Sequence, residues 1–206
     1  GIVVHRVDGS TGSVEDTVKV PDVNAAFYGI YGAAVDAKGN FWGSQIGFGD
    51  LLYVDAQTLQ YKKWPMGGPS PTGGYGITVG ASGYVWICNQ KVSRFDPLTE
   101  TWKVASVDGS GGCMEDDSGT LYMSGGNSSI IALDVETLEV KQNLLVPTYV
   151  HGIGIDFHGY VWGVTLSSSA YRVDPEDGTY ETFEGLTAAY TLSDMTGFAL
   201  YNVLSP

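Results

Sequence analysis

Tyrosine, histidine and amide side chains recur at two fixed distances from a turn that the sequence repeats five times. The turn ends on a glycine each time, at Gly39, Gly83, Gly119, Gly159 and Gly197. Eight residues before these glycines stand Tyr31, Tyr75, Gly111, His151 and Ala189, and six residues after them stand Gln45, Asn89, Gly125, Thr165 and Val203. Phenols, an imidazole, amides and a hydroxyl can hydrogen-bond to a polar organic group and stack on it. The set predicts a binding site if the fold brings these positions together.

Motifs for metal or nucleophilic chemistry are missing from the sequence. The three histidines, His5, His151 and His158, show no metal-ligand spacing with one another or with cysteine. There is no nucleophile elbow, no phosphate-binding loop and no dinucleotide fingerprint. The acidic run 115–117 lacks the spaced ligands of a calcium loop and reads as a turn. We therefore expect no metal site and no cofactor.

The repeat length predicts the elements that position these residues. The turn glycines are spaced 36 to 44 residues apart, and a second signature, Asp-x-x-Thr/Asp, begins at Asp8, Asp55, Asp96, Asp134 and Asp174. A period of roughly 40 residues is typical of a four-stranded propeller blade. Aromatic and β-branched runs such as 84–88 alternate with period two, as strands do. The pattern predicts an all-β fold, a β-propeller of about five four-stranded blades.

The two chain ends carry complementary halves of the repeat. The sequence opens on the second signature and closes on the first, so the last blade is predicted to combine the C-terminal inner hairpin with the N-terminal outer hairpin. Residues 3–7 would then share a sheet with residues 198–203. This interpretation makes residues 1–206 a single propeller domain; the alternative is a fragment of a larger propeller or of a multidomain surface protein.

An inner hairpin brings its first and last residues to the same face of the ring. The positions eight before and six after the turn glycine would therefore surround the mouth of the central channel. We predict ligand-binding roles there for Tyr31, Tyr75, His151, Gln45, Asn89 and Thr165. The expected partner is a polar small molecule, a glycan or a protein; a solvated rim without a ligand is the alternative. Trp42, Trp86, Tyr122 and Trp162 are predicted to be core.

Composition excludes some classes of partner. The chain has 23 acidic and 10 basic residues and a formal charge of −13. Nucleic-acid binding needs clustered Lys and Arg, which this sequence lacks. No apolar run approaches the length of a membrane span. An acidic surface is compatible with an extracellular, cell-surface or periplasmic location.

The two cysteines lie on predicted neighbouring blades. Cys88 follows its turn glycine by five residues, and Cys113 precedes the next turn glycine by six. Both positions fall at a similar height on adjacent inner strands, so the thiols are expected to be close. A disulfide and a pair of free buried thiols both fit this arrangement.

Two segments carry a resemblance to a known family. The runs 151–162 (HGIGIDFHGYVW) and 75–86 (YGITVGASGYVW) resemble the repeat of the streptogramin B lyase (virginiamycin B lyase) propellers. The resemblance implies that a mouth histidine acts as general base and that a glutamate fourteen residues later helps to hold Mg²⁺. His151 matches the histidine, but the glutamate position is Thr165. The run 190–197 is similar to repeats of large bacterial cell-surface proteins, which implies an extracellular module.

These observations leave three functional hypotheses. The leading one is a non-catalytic extracellular or periplasmic binding or scaffold propeller that presents its polar channel mouth. The second is a lyase-like or hydrolytic enzyme that uses His151, which would need a carboxylate nearby. The third is a sugar-binding lectin that pairs Tyr31 with Gln45 and Tyr75 with Asn89.

Overall fold

The protein is described from a computed structural model covering residues 1–24, 28–47, 49–66 and 74–191. These residues form eighteen strands and no helix. The strands are β1 (Ile2–Val7), β2 (Val14–Val20), β3 (Gly32–Val35), β4 (Phe41–Ser44), β5 (Asp50–Val54), β6 (Tyr61–Pro65), β7 (Gly76–Val79), β8 (Val85–Cys88), β9 (Val92–Asp96), β10 (Thr101–Ala105), β11 (Gly109–Glu115), β12 (Thr120–Gly125), β13 (Ser129–Asp134), β14 (Val140–Leu145), β15 (Gly152–Ile155), β16 (Val161–Val164), β17 (Ser169–Val173) and β18 (Tyr180–Glu184).

The strands pair as consecutive antiparallel meanders. Strands β3–β6, β7–β10, β11–β14 and β15–β18 form four four-stranded sheets, which we call the first to fourth blades. Strands β1 and β2 form a two-stranded sheet that pairs Ile2 with Val20. The predicted all-β propeller with four-stranded blades is confirmed. The C-terminal half-repeat, with Gly197, Val203 and the predicted pairing of residues 198–203, lies outside the described residues.

The repeated signatures form the turns predicted for them. Within the described chain, the glycines of the first signature have φ between 80° and 89°, a region that side chains with a Cβ rarely adopt. The aspartate ahead of the glycine organises the turn: Asp36 Oδ1 accepts from the amides of Lys38 and Asn40, both at 2.9 Å. In the second signature, Asp55 Oδ1 accepts from the Thr58 amide at 2.7 Å. Both turns therefore depend on side chain to backbone hydrogen bonds.

The hydrophobic core lies between the blades. Trp86, Leu121 and Met123 belong to a buried cluster that joins the second and third blades. Equivalent clusters join the first blade to the second and the third to the fourth, and Val20 packs with Leu52 between the two-stranded sheet and the first blade. Each blade is thus held by its neighbours. The predicted core aromatics Trp42, Trp86 and Tyr122 are buried, whereas Trp162 is half-buried against Phe183.

A carboxylate accepts the indole N–H of each inner tryptophan. In the first and fourth blades the turn aspartate does so: Asp36 accepts from Trp42 at 3.0 Å and Asp156 from Trp162 at 2.8 Å. The second blade has Gly80 at this position, and Glu115 of the third blade reaches across to Trp86 Nε1 at 2.6 Å. A Cβ on Gly80 would overlap the Glu115 carboxylate. The glycine thus makes room for a tie between blades.

A disulfide adds a covalent tie between the same two blades. Cys88 in β8 is bonded to Cys113 in β11, with a Cα–Cα separation of 6.1 Å. Both residues are buried within the shared cluster. Their proximity follows from the similar height on adjacent inner strands that the turn spacing indicates.

Candidate ligand-binding site at the channel mouth

The inner strands carry the candidate site. Strands β3, β7, β11 and β15 lie side by side in that order around the central channel. Backbone hydrogen bonds fix the fourth-blade end of this row: the amide of His151 donates to Val164 O at 2.7 Å, and the amide of Gly112 donates to His151 O at 2.9 Å. A Cβ on Gly111 would lie too close to His151 O, so a glycine is needed for this approach. The segment before β15 is therefore tightly positioned.

Five aromatic side chains converge at this end of the described inner strands. We call them the mouth cluster: Tyr31, Tyr75, Tyr149, His151 and Tyr190. The Tyr75 ring lies 5.4 Å from that of Tyr31 and 5.3 Å from that of His151, measured between ring centroids. The Tyr190 ring stacks on His151 at 5.6 Å and 29°. Residues more than 100 positions apart in the chain thus form one continuous aromatic surface.

Hydrogen bonds occupy both ring nitrogens of His151. Tyr149 Oη lies 2.8 Å from Nδ1, and Tyr75 Oη lies 2.8 Å from Nε2. Tyr149 also hydrogen-bonds to the Ser110 carbonyl, which can only accept. The Tyr149 proton therefore points to Ser110, so Nδ1–H donates to Tyr149 and Nε2 accepts from Tyr75. Burial lowers the pKa of His151, which favours this neutral tautomer at pH 7.

The chain of hydrogen bonds continues to the outer tyrosines. Since Tyr75 gives its proton to His151, its oxygen accepts from Tyr190 Oη at 2.7 Å. Burial raises the pKa of Tyr75, and hydrogen bonding to Tyr190 raises that of Tyr31, so both phenols stay protonated at neutral pH. Tyr190 is 57% exposed, and Tyr28, whose ring centroid lies 6.1 Å from that of Tyr31, is 69% exposed. These two rings present the accessible aromatic surface at the rim.

The structure separates the predicted residues into two groups. Tyr31, Tyr75 and His151 are brought together. Gln45 is buried, its Nε2 donating to Asn24 O at 2.5 Å and its Oε1 accepting from the Asp50 amide at 3.0 Å. These bonds hold the Gln45 side chain against the β2–β3 connection and the start of β5.

The other two predicted residues lie in strand connections. Thr165 is buried and donates to Ser169 O at 2.7 Å in the β16–β17 turn. Asn89 lies in the β8–β9 turn, where its backbone amide donates to Lys91 O at 3.1 Å. Asn89 and Thr165 therefore lie in connections between the second and third strands of their blades, further from the channel axis than the inner strands.

Sequence reasoning missed two members of the mouth cluster. Tyr149 lies two residues before His151, and alternation along an extended chain puts both on one face. Tyr190 follows Ala189, the predicted mouth position, by one residue. A constant offset of eight residues before the turn glycine points to Ala189 and therefore passes over Tyr190.

Solved structures show what this fold is similar to. No protein-family profile and no curated protein matches the chain. Virginiamycin B lyase from Staphylococcus aureus is 15% identical, with a TM-score of 0.69 over 86% of this chain and 61% of the lyase. The fold is therefore a β-propeller similar to that of the lyase. A sequence identity of 15% supports a similarity of fold only. The chain spans about three-fifths of the length of the lyase.

Propellers of other kinds are also similar. Kuenenia stuttgartiensis hydrazine synthase is 16% identical, with a TM-score of 0.64 over 81% of this chain and 53% of that one. The extracellular domain of the two-component system BT4673 from B. thetaiotaomicron is 18% identical, with a TM-score of 0.57 over 75% of this chain and 24% of that one. Such diverse neighbours indicate a general propeller scaffold.

Proposed function

We propose that this propeller is a non-catalytic binding module that holds a polar, ring-bearing organic ligand, such as a sugar or a peptide side chain, at its channel mouth. The observation that carries the proposal is the mouth cluster, in which stacked aromatic rings surround an imidazole with both nitrogens engaged. Exposed Tyr190 and Tyr28 offer faces for stacking, and their hydroxyl groups offer hydrogen bonds.

The bonding of His151 argues against a role as general base. A base needs a free lone pair within reach of the substrate proton. The lone pair on Nε2 accepts the Tyr75 proton at 2.8 Å, and Nδ1–H is directed to Tyr149. An enzyme using His151 would first have to break one of these bonds.

The residues around His151 do not suit a magnesium ion. Mg²⁺ in proteins is usually held through one or two carboxylates. Thr165, at the position where the lyase resemblance places a glutamate, is buried and bonded to Ser169. The described partners of His151 are tyrosines and backbone groups, all of them neutral. The enzyme hypothesis therefore has less support than binding.

The lectin hypothesis survives in a changed form. Gln45 cannot pair with Tyr31 around a sugar, because its amide holds Asn24 and Asp50. A sugar could still stack on Tyr190 and Tyr28, and a glycan therefore remains among the proposed ligands.

The proposed location is extracellular or periplasmic. The Cys88–Cys113 disulfide supports an oxidising compartment. Extracellular propeller domains are among the similar structures. In the described part of the chain, no helix is long and apolar enough to cross a membrane.

Ligand-observed NMR with panels of neutral oligosaccharides and short uncharged peptides tests the binding proposal. We expect at least one class to bind, with binding lost in Tyr190→Ala and retained in Tyr180→Ala, which removes an exposed tyrosine from β18. Binding that Tyr190→Ala leaves unchanged, or the absence of any binder, would contradict the proposal.

An activity assay addresses the enzyme hypothesis directly. Incubation with a cyclic depsipeptide and Mg²⁺ should give no linear product. Turnover that disappears in His151→Ala would establish the enzyme instead.

A further inference from the structure

A cavity of about 640 Å³ opens between the first and second blades. We call it the interblade cleft. It is lined by the turn residues 36–38 and 80–83, together with Tyr53, Trp64 and the β9–β10 turn. Strand β3 starts at the mouth cluster and ends beside residue 36, so the cleft lies at the opposite end of the inner strands. It is therefore separate from the channel mouth.

The next junction shows what occupies the equivalent space. Arg94 of β9 extends from the second blade to the third and is only 4% exposed. Its guanidinium donates to the carbonyls of Val135 and of Glu136, the latter at 3.2 Å, in the β13–β14 turn. The same guanidinium lies 4.0 Å from the centre of the Tyr84 ring. An arginine thus fills the junction between the second and third blades.

The first blade has a tyrosine where the second has this arginine. Tyr53 pairs with Trp42 across the sheet, as Arg94 pairs with Trp86. The Tyr53 hydroxyl donates to Asp55 of its own blade at 3.2 Å and does not reach the second blade. The position that closes the next junction therefore leaves this one open.

The far wall of the cleft repeats the turn that receives Arg94. In the β9–β10 turn, the Leu98 amide donates to Asp96 Oδ1 at 2.9 Å; in the β13–β14 turn, the Glu136 amide donates to Asp134 Oδ1 at 3.0 Å. The two turns share the Asp-x-x-Thr sequence. The carbonyls of Pro97 and Leu98 therefore stand where Val135 and Glu136 accept the guanidinium.

The remaining walls suit a planar cation. Trp64 is half-buried, and its Nε1 donates to Glu100 at 3.2 Å. Lys62 pairs with Glu100 at 2.9 Å and already lies 6.0 Å from the Trp64 ring centre. The carboxylates of Asp36, Asp96 and Glu100 outnumber the ammonium groups of Lys38 and Lys62 among the lining residues. Aromatic faces, carbonyl acceptors and a surplus of negative charge are the groups that recognise a guanidinium.

We propose that the interblade cleft binds an arginine side chain of a partner protein. The guanidinium donates to the carbonyls of Pro97 and Leu98 and packs against Tyr53 and Trp64. It takes the place in the first junction that Arg94 takes in the second. The formal charge of −13 favours a basic partner.

The test uses the peptide acetyl-Gly-Arg-Gly-amide as probe and the indole N–H signals of Trp42 and Trp64 as NMR reporters. We expect saturable shifts with a dissociation constant on the order of 1 mM, as for a small fragment. The corresponding lysine and citrulline peptides should bind at least about fivefold more weakly. Lysine lacks the planar guanidinium fork, and citrulline lacks the positive charge.

Two variants with the same substitution separate the cleft from general charge effects. Tyr53→Arg should fill the cleft as Arg94 fills the next junction, and should abolish peptide binding while the protein stays folded. Tyr180→Arg adds the same charge on exposed β18 and should leave binding unchanged.

Three outcomes would overturn the proposal. The first is equal binding of the arginine and lysine peptides, and the second is binding that Tyr53→Arg preserves. The third is that the peptide shifts neither indole signal. If, in that case, sedimentation shows a dimer that Tyr53→Arg dissociates, the cleft would be assigned to a second copy of the chain.

Discussion

Breaking the Cys88–Cys113 disulfide should cost much of the stability of the fold. The bond closes a loop across a sequence separation of 25 residues. In the chain-entropy description, such a loop stabilises the folded state by about 3.5 kcal/mol, because the unfolded chain loses conformations. For a chain of this length, that corresponds to a Tm lower by roughly 7–14 °C.

Urea unfolding of the oxidised protein and of the protein reduced with dithiothreitol measures this difference. Reduction is the cleaner perturbation, since both sulfur atoms remain in the buried cluster. The Cys88→Ala/Cys113→Ala variant should lose at least as much, because it also leaves a cavity. It serves as the control, since dithiothreitol should then have no effect. A loss below about 1 kcal/mol on reduction would refute the loop-closure reasoning.

Three further predictions concern single positions. Gly83→Ala should lower the free energy of unfolding in urea by about 1–2 kcal/mol, because φ is +81° there, although a Cβ would meet no atom within 4 Å. Gly9→Ala is equally uncrowded but lacks a positive φ, so it should be nearly neutral, and equal losses in the two variants would contradict the backbone argument. Burial raises the pKa of Glu115, so its protonated form is favoured on folding and wild type should lose stability relative to Glu115→Gln as pH rises above about 4.5; a relative gain would show that the donors from Ser82 and Trp86 outweigh burial. Burial lowers the pKa of His151, so wild type should lose stability relative to His151→Gln as pH falls through about 6.5 in pH-dependent thermal melts; a difference that does not vary between pH 8 and pH 5 would contradict the neutral tautomer.

The fold could be predicted because its turns have residue types that few other conformations require. Gly39 and Gly83 mark positive φ, and the aspartates of both signatures mark side chain to backbone bonds. A further regularity was invisible. Leu59, Glu100 and Leu138, each four residues after a signature aspartate, also have positive φ, between 54° and 64°. Nothing about leucine or glutamate indicates that conformation, which the flanking strands impose.

The candidate site could be predicted only in part because spacing specifies position along a strand. Spacing placed His151 and Tyr75 at the mouth, and the structure brings them within 2.8 Å. It could not show that Gln45 would bond to Asn24, since that contact depends on a loop outside the repeat. The sequence did not indicate the interblade cleft either. That cleft becomes apparent only when Arg94, which fills one junction, is compared with Tyr53, which leaves the preceding junction open.

The mouth cluster also ties ligand affinity to the cohesion of the ring. Its side chains come from the starts of the first and second blades and from the segments on either side of the fourth blade. No single repeat therefore contains the complete site. A ligand that contacts all of these side chains would act as a reversible, non-covalent cross-link between blades that are distant in sequence. At a concentration one hundred times its dissociation constant, it would add about 2.7 kcal/mol to the assembled state. Occupancy and mechanical integrity would then rise and fall together.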